Sequence, residues 1–389
     1  MDLSMIQAVL SGIAAFTAVH FLIPLLIKIS YHFNLYDKPD VNRKLHTRYI
    51  SPLGGVAIFI SLFIGFSLSG YPDQFPGFAY FSSALVLLFF TGLKDDIMEI
   101  STYKKLSIEI FSAMLIVFGC GAVIFEFGGI FGLNAVPLYI SVPLTLFTVV
   151  VVMNAFNLID GVDGLAGGIG FIASLFFAVG FYLSGEIHFF YLSMIVAITL
   201  GSFLIHNFQP AKIFMGDTGS LVVGFVFAFL SVRFIGLNQV AGDINFFVNS
   251  VPVLPIAFLS VPLYDTFTVV LKRLFRGDSP FTPGRDHVHH QLLNMGFSPK
   301  HTTLYLYGVT LLISTVAIAI SALNINIVLA AIIFSMTVLM PTNGSKRRIL
   351  QFTGLINIEK HFRSDSDYQS PSLGEKERSI KEKENSMVG

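Results

Sequence analysis

The chain alternates long apolar runs with short polar breaks, and the runs have the length of a bilayer crossing. A helix needs about 20 mostly apolar residues to span the hydrocarbon core. Eleven runs fit that description, at roughly 5–29, 53–70, 77–93, 105–125, 138–157, 167–184, 188–207, 219–240, 251–271, 303–322 and 324–341. The pattern predicts an all-α integral membrane protein with about eleven transmembrane helices. The first apolar run, Ile6 to Ile29, lacks a basic leader and is longer than the apolar region of a cleavable signal. It reads as a retained first helix. Composition changes after Pro341. Residues 1–343 form the expected membrane domain and residues 344–389 a polar tail, too poor in apolar side chains after about 363 to fold alone.

Composition supports lipid as the main solvent. Hydrophobic residues make up 54% and charged residues 12% of the 389, with 41 Phe, against about 25% charged in an ordinary soluble domain. The single cysteine, Cys120, excludes an intramolecular disulfide and a multi-cysteine metal site. The formal net charge is zero and points to no partner such as nucleic acid. The distribution of charge is more informative. With the N-terminus outside, and counting Lys28 at the membrane edge of the first run, the inside segments and tail hold 23 of the 24 Lys and Arg residues, Arg233 being the exception. Positive loops mark the cytoplasmic side, so the N-terminus is expected outside and the tail inside.

The polar clusters all fall on that inside face. They are "RKLHTRYISPLGG" (43–55), "GLKDDIMEISTYKKL" (92–106), "NAFNLIDGVDG" (154–164), "FMGDTGS" (214–220) and "GRDHVHH" (284–290). Asn154, Asn157 and Asp160 are spaced three apart and share one arc of a helix. Gly161 and Gly164 then break it, with Asp163 in the turn. Amide and carboxylate oxygens suit a hard cation such as Mg²⁺, which also takes phosphate oxygens. A helix C-terminus with turn residues explains one such polar group, but four beside apolar spans are costly. Asp217 stands at a glycine-flanked helix start, as an N-cap or as a metal ligand beside N–H groups that favour phosphate. Phe214 is core or a stacking surface. Asp95 and Asp96 end the third span. They diverge by about 100° on a helix, so one is expected to face a metal or nucleophile while the other pairs with Lys104 or Lys105. Arg285, His287, His289 and His290 supply cations and imidazoles; their spacing fits no structural zinc site.

These five motifs, in this order, resemble the polyprenyl-phosphate N-acetylhexosamine-1-phosphate transferases, most closely the bacterial undecaprenyl-phosphate GlcNAc-1-phosphate transferases of glycosyltransferase family 4. The resemblance covers about residues 1–343 and not the tail. It implies an Mg²⁺-dependent enzyme of the bacterial inner membrane, with Mn²⁺ as an alternative ion. Such an enzyme moves a sugar-1-phosphate from a UDP-N-acetylhexosamine to undecaprenyl phosphate, releases UMP and starts a lipid-linked envelope polysaccharide. It also implies a homodimer. By motif match, Asp217 becomes the principal metal ligand and Asn157 a second ligand or diphosphate contact. Phe214 stacks on uracil, with Asp163 near its edge. Asp160 and Asn154 line the sugar–phosphate region. Asp95 and Asp96 are essential acids, one of which positions or deprotonates the lipid phosphate, and Lys105 holds that phosphate. Arg285, His287, His289 and His290 contact the diphosphate or sugar, His290 counting among the catalytic set. Arg48 falls to substrate binding, although the His-to-Pro spacing around Lys44, His46 and Arg48 is one residue longer than the family's.

The cluster reads His-Val-His-His where the MurNAc-pentapeptide branch resembles an unbroken His-His-His, which favours GlcNAc as the sugar. A phospho-MurNAc-pentapeptide transferase and an enzyme for another UDP-N-acetyl sugar stay open as alternatives. A membrane transporter is the alternative of a different class, but it calls for polar groups on both faces or at the midplane, and the outside loops have none comparable.

Overall fold

A computed structural model describes residues 3–36, 49–70, 75, 77–237, 250–279, 284 and 286–341. Two compact units divide the chain at Met340/Pro341. Apart from Pro341 the second unit, and with it the expected disordered tail, lies outside the described residues.

The first unit is a helical membrane bundle. In chain order it contains α1 (Leu3–His32), α2 (Gly54–Leu68), α3 (Phe78–Ile97), α4 (Thr102–Met114), a π-helical turn (Leu115–Gly119), β1 (Glu126–Ile130), β2 (Leu133–Ala135), α5 (Leu138–Ile159), α6 (Leu165–Leu183), α7 (Ile187–Asn207) and α8 (Gly216–Gly236). A 3₁₀ turn (Val251–Val253), α9 (Leu254–Phe258), α10 (Ser260–Arg276), α11 (Val288–Asn294), α12 (Pro299–Ala319) and α13 (Ile325–Leu339) complete it. Among the described residues seven helices are long and apolar enough to cross a membrane, or eight if the 3₁₀–α9 segment and α10, bent by 81°, form one broken span. The expected eleven is therefore not reached on length and apolarity. The runs at 53–70, 105–125 and 324–341 give helices of 15, 13 and 15 residues. The expected outside loop 126–137 contains an antiparallel hairpin, β1–β2, so the bundle is not purely helical. Asn326 ties that hairpin to α13 by accepting from Phe131 N (2.8 Å) and donating to Gly129 O (3.3 Å).

Helix α8 is the centre of the bundle. Every residue from Thr218 to Val232 is buried, as expected for a helix apolar on all its faces. Its neighbours approach closely through glycine. A Cβ at Gly92 of α3 would stand 2.4 Å from Thr218 Cα, and one at Gly55 of α2 would stand 2.1 Å from Gly219 N. Both contacts place the first turn of α8 against the ends of α2 and α3.

Arg233, in the last turn of α8, packs on aromatic rings. Its guanidinium lies over the Phe189 and Phe229 rings at 5.4 and 5.3 Å and donates to Cys120 O (2.5 Å). It closes the carbonyl end of the π-helical turn after α4.

Candidate active site

The site is built around the first turn of α8. The helix starts at Gly216 rather than near residue 219, so Asp217 is in its first turn. Gly216 has φ +68°, and a Cβ there would meet Pro52 O at 2.3 Å and both Asp96 carboxylate oxygens at 2.7 Å. Only glycine satisfies the backbone conformation and the space together. Helix α3 runs to Ile97, past the expected end near residue 93, and so carries both Asp95 and Asp96 in helical geometry.

The two neighbouring acids do different work. Asp96 accepts from Asp217 N (2.7 Å), Thr218 N (3.0 Å) and Thr218 Oγ1 (2.5 Å). It thus caps the N-terminus of α8 from another helix, satisfying donors that have no partner within α8. Asp95 accepts from Ile100 N through Oδ1 (2.7 Å) and pairs with Lys105 Nζ through Oδ2 (3.0 Å). The expected division of labour therefore holds in part. Asp95 is the partner of Lys105, and Asp96 holds the helix that carries Asp217.

Lys105 also reaches Asp217 Oδ1 at 3.1 Å, so one ammonium bridges two carboxylates. The same Oδ1 accepts from Asn157 Nδ2, which is shared with Ser220 Oγ (2.9 Å). Both partners of Asn157 Nδ2 are oxygens, so its carbonyl Oδ1 remains the acceptor atom. Asn154, one turn back on α5, donates to Glu109 Oε2 (2.5 Å) and to Val150 O (2.9 Å). Glu109 lies on α4 four residues after Lys105 and is 1% exposed.

The turn after α5 carries the other acids. Burial, then the negative charges of Asp217, Asp96 and Asp163, push the Asp160 pKa up to about 8. Asp160 thus holds a proton at neutral pH unless a cation enters among these carboxylates and favours the ionised form. Asp163 accepts from Ala211 N (3.0 Å). Asn207, buried at the end of α7, joins this turn to the approach to α8. It accepts from Gly164 N (3.0 Å) and donates to Ile213 O (2.8 Å). Phe214, half-buried in that approach, donates its N–H to Ser51 O (2.8 Å) and gives its carbonyl to Gly54 N (3.0 Å).

The histidines come to the same turn. The Nε2 atom of His289 packs on Gly161, where a Cβ would be 2.4 Å away. His287 lies parallel to His289 at 5.7 Å, and His290 stands 4.3 Å from His289. Asp265 of α10 accepts from Val288 N (2.7 Å) and lies 2.9 Å from His287 Nδ1. That bond places a proton on Nδ1 and fixes the ring, leaving Nε2 as the presented atom. His289 is held well below the ordinary histidine pKa by burial, then by the charges of His290 and His287. Arg48 and Arg285, with Lys44 and His46, lie outside the described residues.

The structure thus joins Asp95, Asp96, Lys105, Asn157 and Asp217 through hydrogen bonds and ion pairs, with Asp160 in electrostatic reach, sets Asn154 one turn away on Glu109, and gathers the histidines at Gly161. Sequence reading did not single out Glu109, Asn207 or Asp265. Asp265 did carry a signal, as a lone carboxylate inside the apolar run 251–271, where ionisable groups are costly. The oxygen donors of Asp217 and Asn157 fit Mg²⁺, which binds through one or two carboxylates plus waters and substrate phosphates. No group of three His, Cys, Asp or Glu suited to a metal occurs among the described residues.

A profile described as glycosyl transferase family 4 matches residues 78–235, from α3 to the end of α8. The chain is 32% identical to a probable undecaprenyl-phosphate N-acetylglucosaminyl 1-phosphate transferase of Bacillus subtilis, over 92% of this chain and 95% of that protein. It is 29% identical to the undecaprenyl-phosphate alpha-N-acetylglucosaminyl 1-phosphate transferase of Yersinia pestis, over 70% and 73%. It is 32% identical to the decaprenyl-phosphate N-acetylglucosaminephosphotransferase of Mycobacterium leprae, over 68% and 72%.

Proposed function

The chain belongs to glycosyl transferase family 4, and on that premise we propose that it transfers GlcNAc-1-phosphate from UDP-GlcNAc to undecaprenyl phosphate at the cytoplasmic face of the bacterial inner membrane. The observation that carries this reading is the Asp95–Lys105–Asp217 bridge with Asn157, at the start of the buried helix α8. It is a charged oxygen-and-ammonium cluster at the end of a membrane bundle, where a lipid phosphate and a soluble nucleotide can both arrive. The 23-to-1 distribution of Lys and Arg supports the cytoplasmic placement.

In the proposed reaction an oxygen of the lipid phosphate attacks the β-phosphorus of UDP-GlcNAc. A new P–O bond forms, the bond from the β-phosphorus to the bridging oxygen breaks, and that oxygen leaves with its electron pair on UMP. Asp217 and Asn157 would hold Mg²⁺, with Mn²⁺ as the alternative, and a cation there would draw charge from the diphosphate. Lys105 holds the lipid phosphate against the charge of Asp95. Asp96 fixes the α8 N-terminus, so that Asp217 sits in one place. His287, oriented by Asp265, and His290 present ring nitrogens toward the sugar–diphosphate end. The dianionic lipid phosphate is already nucleophilic near neutral pH, since its second pKa is about 6, so no strong base is required.

The test is UMP release by purified protein supplied with UDP-GlcNAc, undecaprenyl phosphate and Mg²⁺. UMP should appear only with all three and stop with EDTA. Turnover of UDP-MurNAc-pentapeptide in place of UDP-GlcNAc would move the chain to the other branch, and activity surviving EDTA would remove the cation from the mechanism.

A further inference from the structure

Below the layer formed by Lys105, Asp217 and Asn157 lies a second polar pair, one helical turn along the same two helices. Glu109 follows Lys105 by four residues on α4, and Asn154 precedes Asn157 by three on α5. Residues at those spacings share a helix face. The pair is joined by the 2.5 Å bond from Asn154 Nδ2 to Glu109 Oε2. Glu109 is 1% exposed, and its other oxygen, Oε1, is buried with no hydrogen-bond partner. A buried carboxylate oxygen left unpaired costs stability, and a purely structural position would favour an apolar side chain or a fully bonded one.

The bond also sets which way Asn154 faces. Its amide nitrogen stands between two acceptors, the Glu109 carboxylate and Val150 O at 2.9 Å. Both N–H groups are therefore used, and only the carbonyl oxygen is left for another partner. Without an acceptor at position 109 the amide is free to turn and offer an N–H instead. For a ligand N–H that exchange replaces an attraction by a clash of like groups, whereas a hydroxyl would merely turn from donor to acceptor. The acetamido group of an N-acetylhexosamine donor carries such an N–H.

We propose that Glu109 is a positioning residue that locks Asn154 with its carbonyl oxygen toward the sugar of the bound donor. This rests on the transferase reading above. Glu109 touches no substrate and acts only through Asn154.

The experiment compares Glu109→Leu, Glu109→Gln, Asn154→Asp and the double variant Glu109→Gln/Asn154→Asp with wild type. Readouts are KM and kcat for UDP-GlcNAc, UMP affinity, and thermal unfolding. Glu109→Leu keeps the bulk and loses the acceptor, so its KM for UDP-GlcNAc should rise about 10-fold or more, in the range expected for loss of an orienting partner, with UMP affinity kept. Gln offers an amide oxygen to Asn154, so Glu109→Gln should recover most of the loss seen in Glu109→Leu. Asn154→Asp sets two carboxylates against each other and should be poorly active. In the double variant the Gln donates to the Asp, which still presents an oxygen, and activity should rise at least about 10-fold over Asn154→Asp. Wild-type KM in Glu109→Leu, or a double variant no better than Asn154→Asp, overturns the proposal. So does a set of variants in which only thermal stability changes. Absence of UMP from wild type would instead refute the transferase reading and is read in the same plate.

Discussion

Asp96 looks in sequence like half of an acid pair, and in the fold it is the cap of another helix. Replacing it with Ala should remove three hydrogen bonds, to Asp217 N, Thr218 N and Thr218 Oγ1. Hydrogen bonds to a charged group contribute about 1.5–3 kcal/mol each, and water can replace part of this at a helix end that is only half-buried. A loss of about 3 kcal/mol is expected, above the ordinary range for a lost cap because two backbone donors are involved. Asp96→Asn keeps an acceptor oxygen for at least one N–H and should cost about 1 kcal/mol by the same reasoning. Catalysis should fall with displacement of Asp217, and a shift of about 1 Å costs on the order of 100-fold. Thermal unfolding in detergent and initial rates of UMP release, measured on the same preparations, give both numbers. The two substitutions should be graded in the same order in stability and rate. If Asp96→Asn is as inactive as Asp96→Ala while both unfold like wild type, Asp96 takes part in the chemistry directly and the capping role is wrong.

Lys105→Met should lower kcat by about 10²–10³-fold, as expected for a lost electrostatic contact to the reacting group, while UMP affinity holds; a wild-type rate would remove Lys105 from the site. Asn207→Ala removes two buried hydrogen bonds and should cost about 2 kcal/mol, visible as a lower thermal midpoint, whereas an unchanged midpoint would show that the turn after α5 is not tied to the α8 approach. His289 is buried neutral, with its pKa lowered in the fold by burial and by His290 and His287, so below pH 6.5 the unfolded chain binds the extra proton. Stability is therefore full above pH 6.5 and should fall by about 1.4 kcal/mol per pH unit below it, until the folded pKa is reached; an equal acid-side slope in His289→Asn would contradict this. A cysteine placed at the exposed Thr102 in a Cys120→Ser background should react with an impermeant reagent only from the cytoplasmic side, and those at Asp73 and Asp243 only from outside, with the reverse pattern overturning the orientation.

Much of this arrangement is legible in sequence because membrane burial makes polar residues conspicuous. Asn154, Asn157, Asp95, Asp96 and Asp217 stand out against apolar runs, and the fold brings them to one end of the bundle. What sequence does not convey is which donor each acid meets. The different work of Asp95 and Asp96 follows from where Gly92 lets α3 touch Thr218, a contact between distant segments. Glu109 escaped notice because one acid on a polar helix start looks like a solvated face until α5 covers it. The number of spans is less legible for a related reason. Periodicity and hydropathy record burial in lipid or in protein alike, so they do not by themselves separate a full crossing from short apolar helices such as α2 and α13 or the bent α9–α10 segment.

The reaction itself is tested most directly by the fate of the two donor phosphates. UDP-GlcNAc labelled at the β-phosphorus and, separately, at the α-phosphorus is incubated with the purified protein, undecaprenyl phosphate and Mg²⁺. Transfer of a sugar-1-phosphate predicts β-label in the lipid product and α-label in UMP, in equal amounts. Release of both labels as UDP, with an unlabelled glycosylated lipid, would show that the bond broken is the sugar–oxygen bond and would contradict attack at the β-phosphorus.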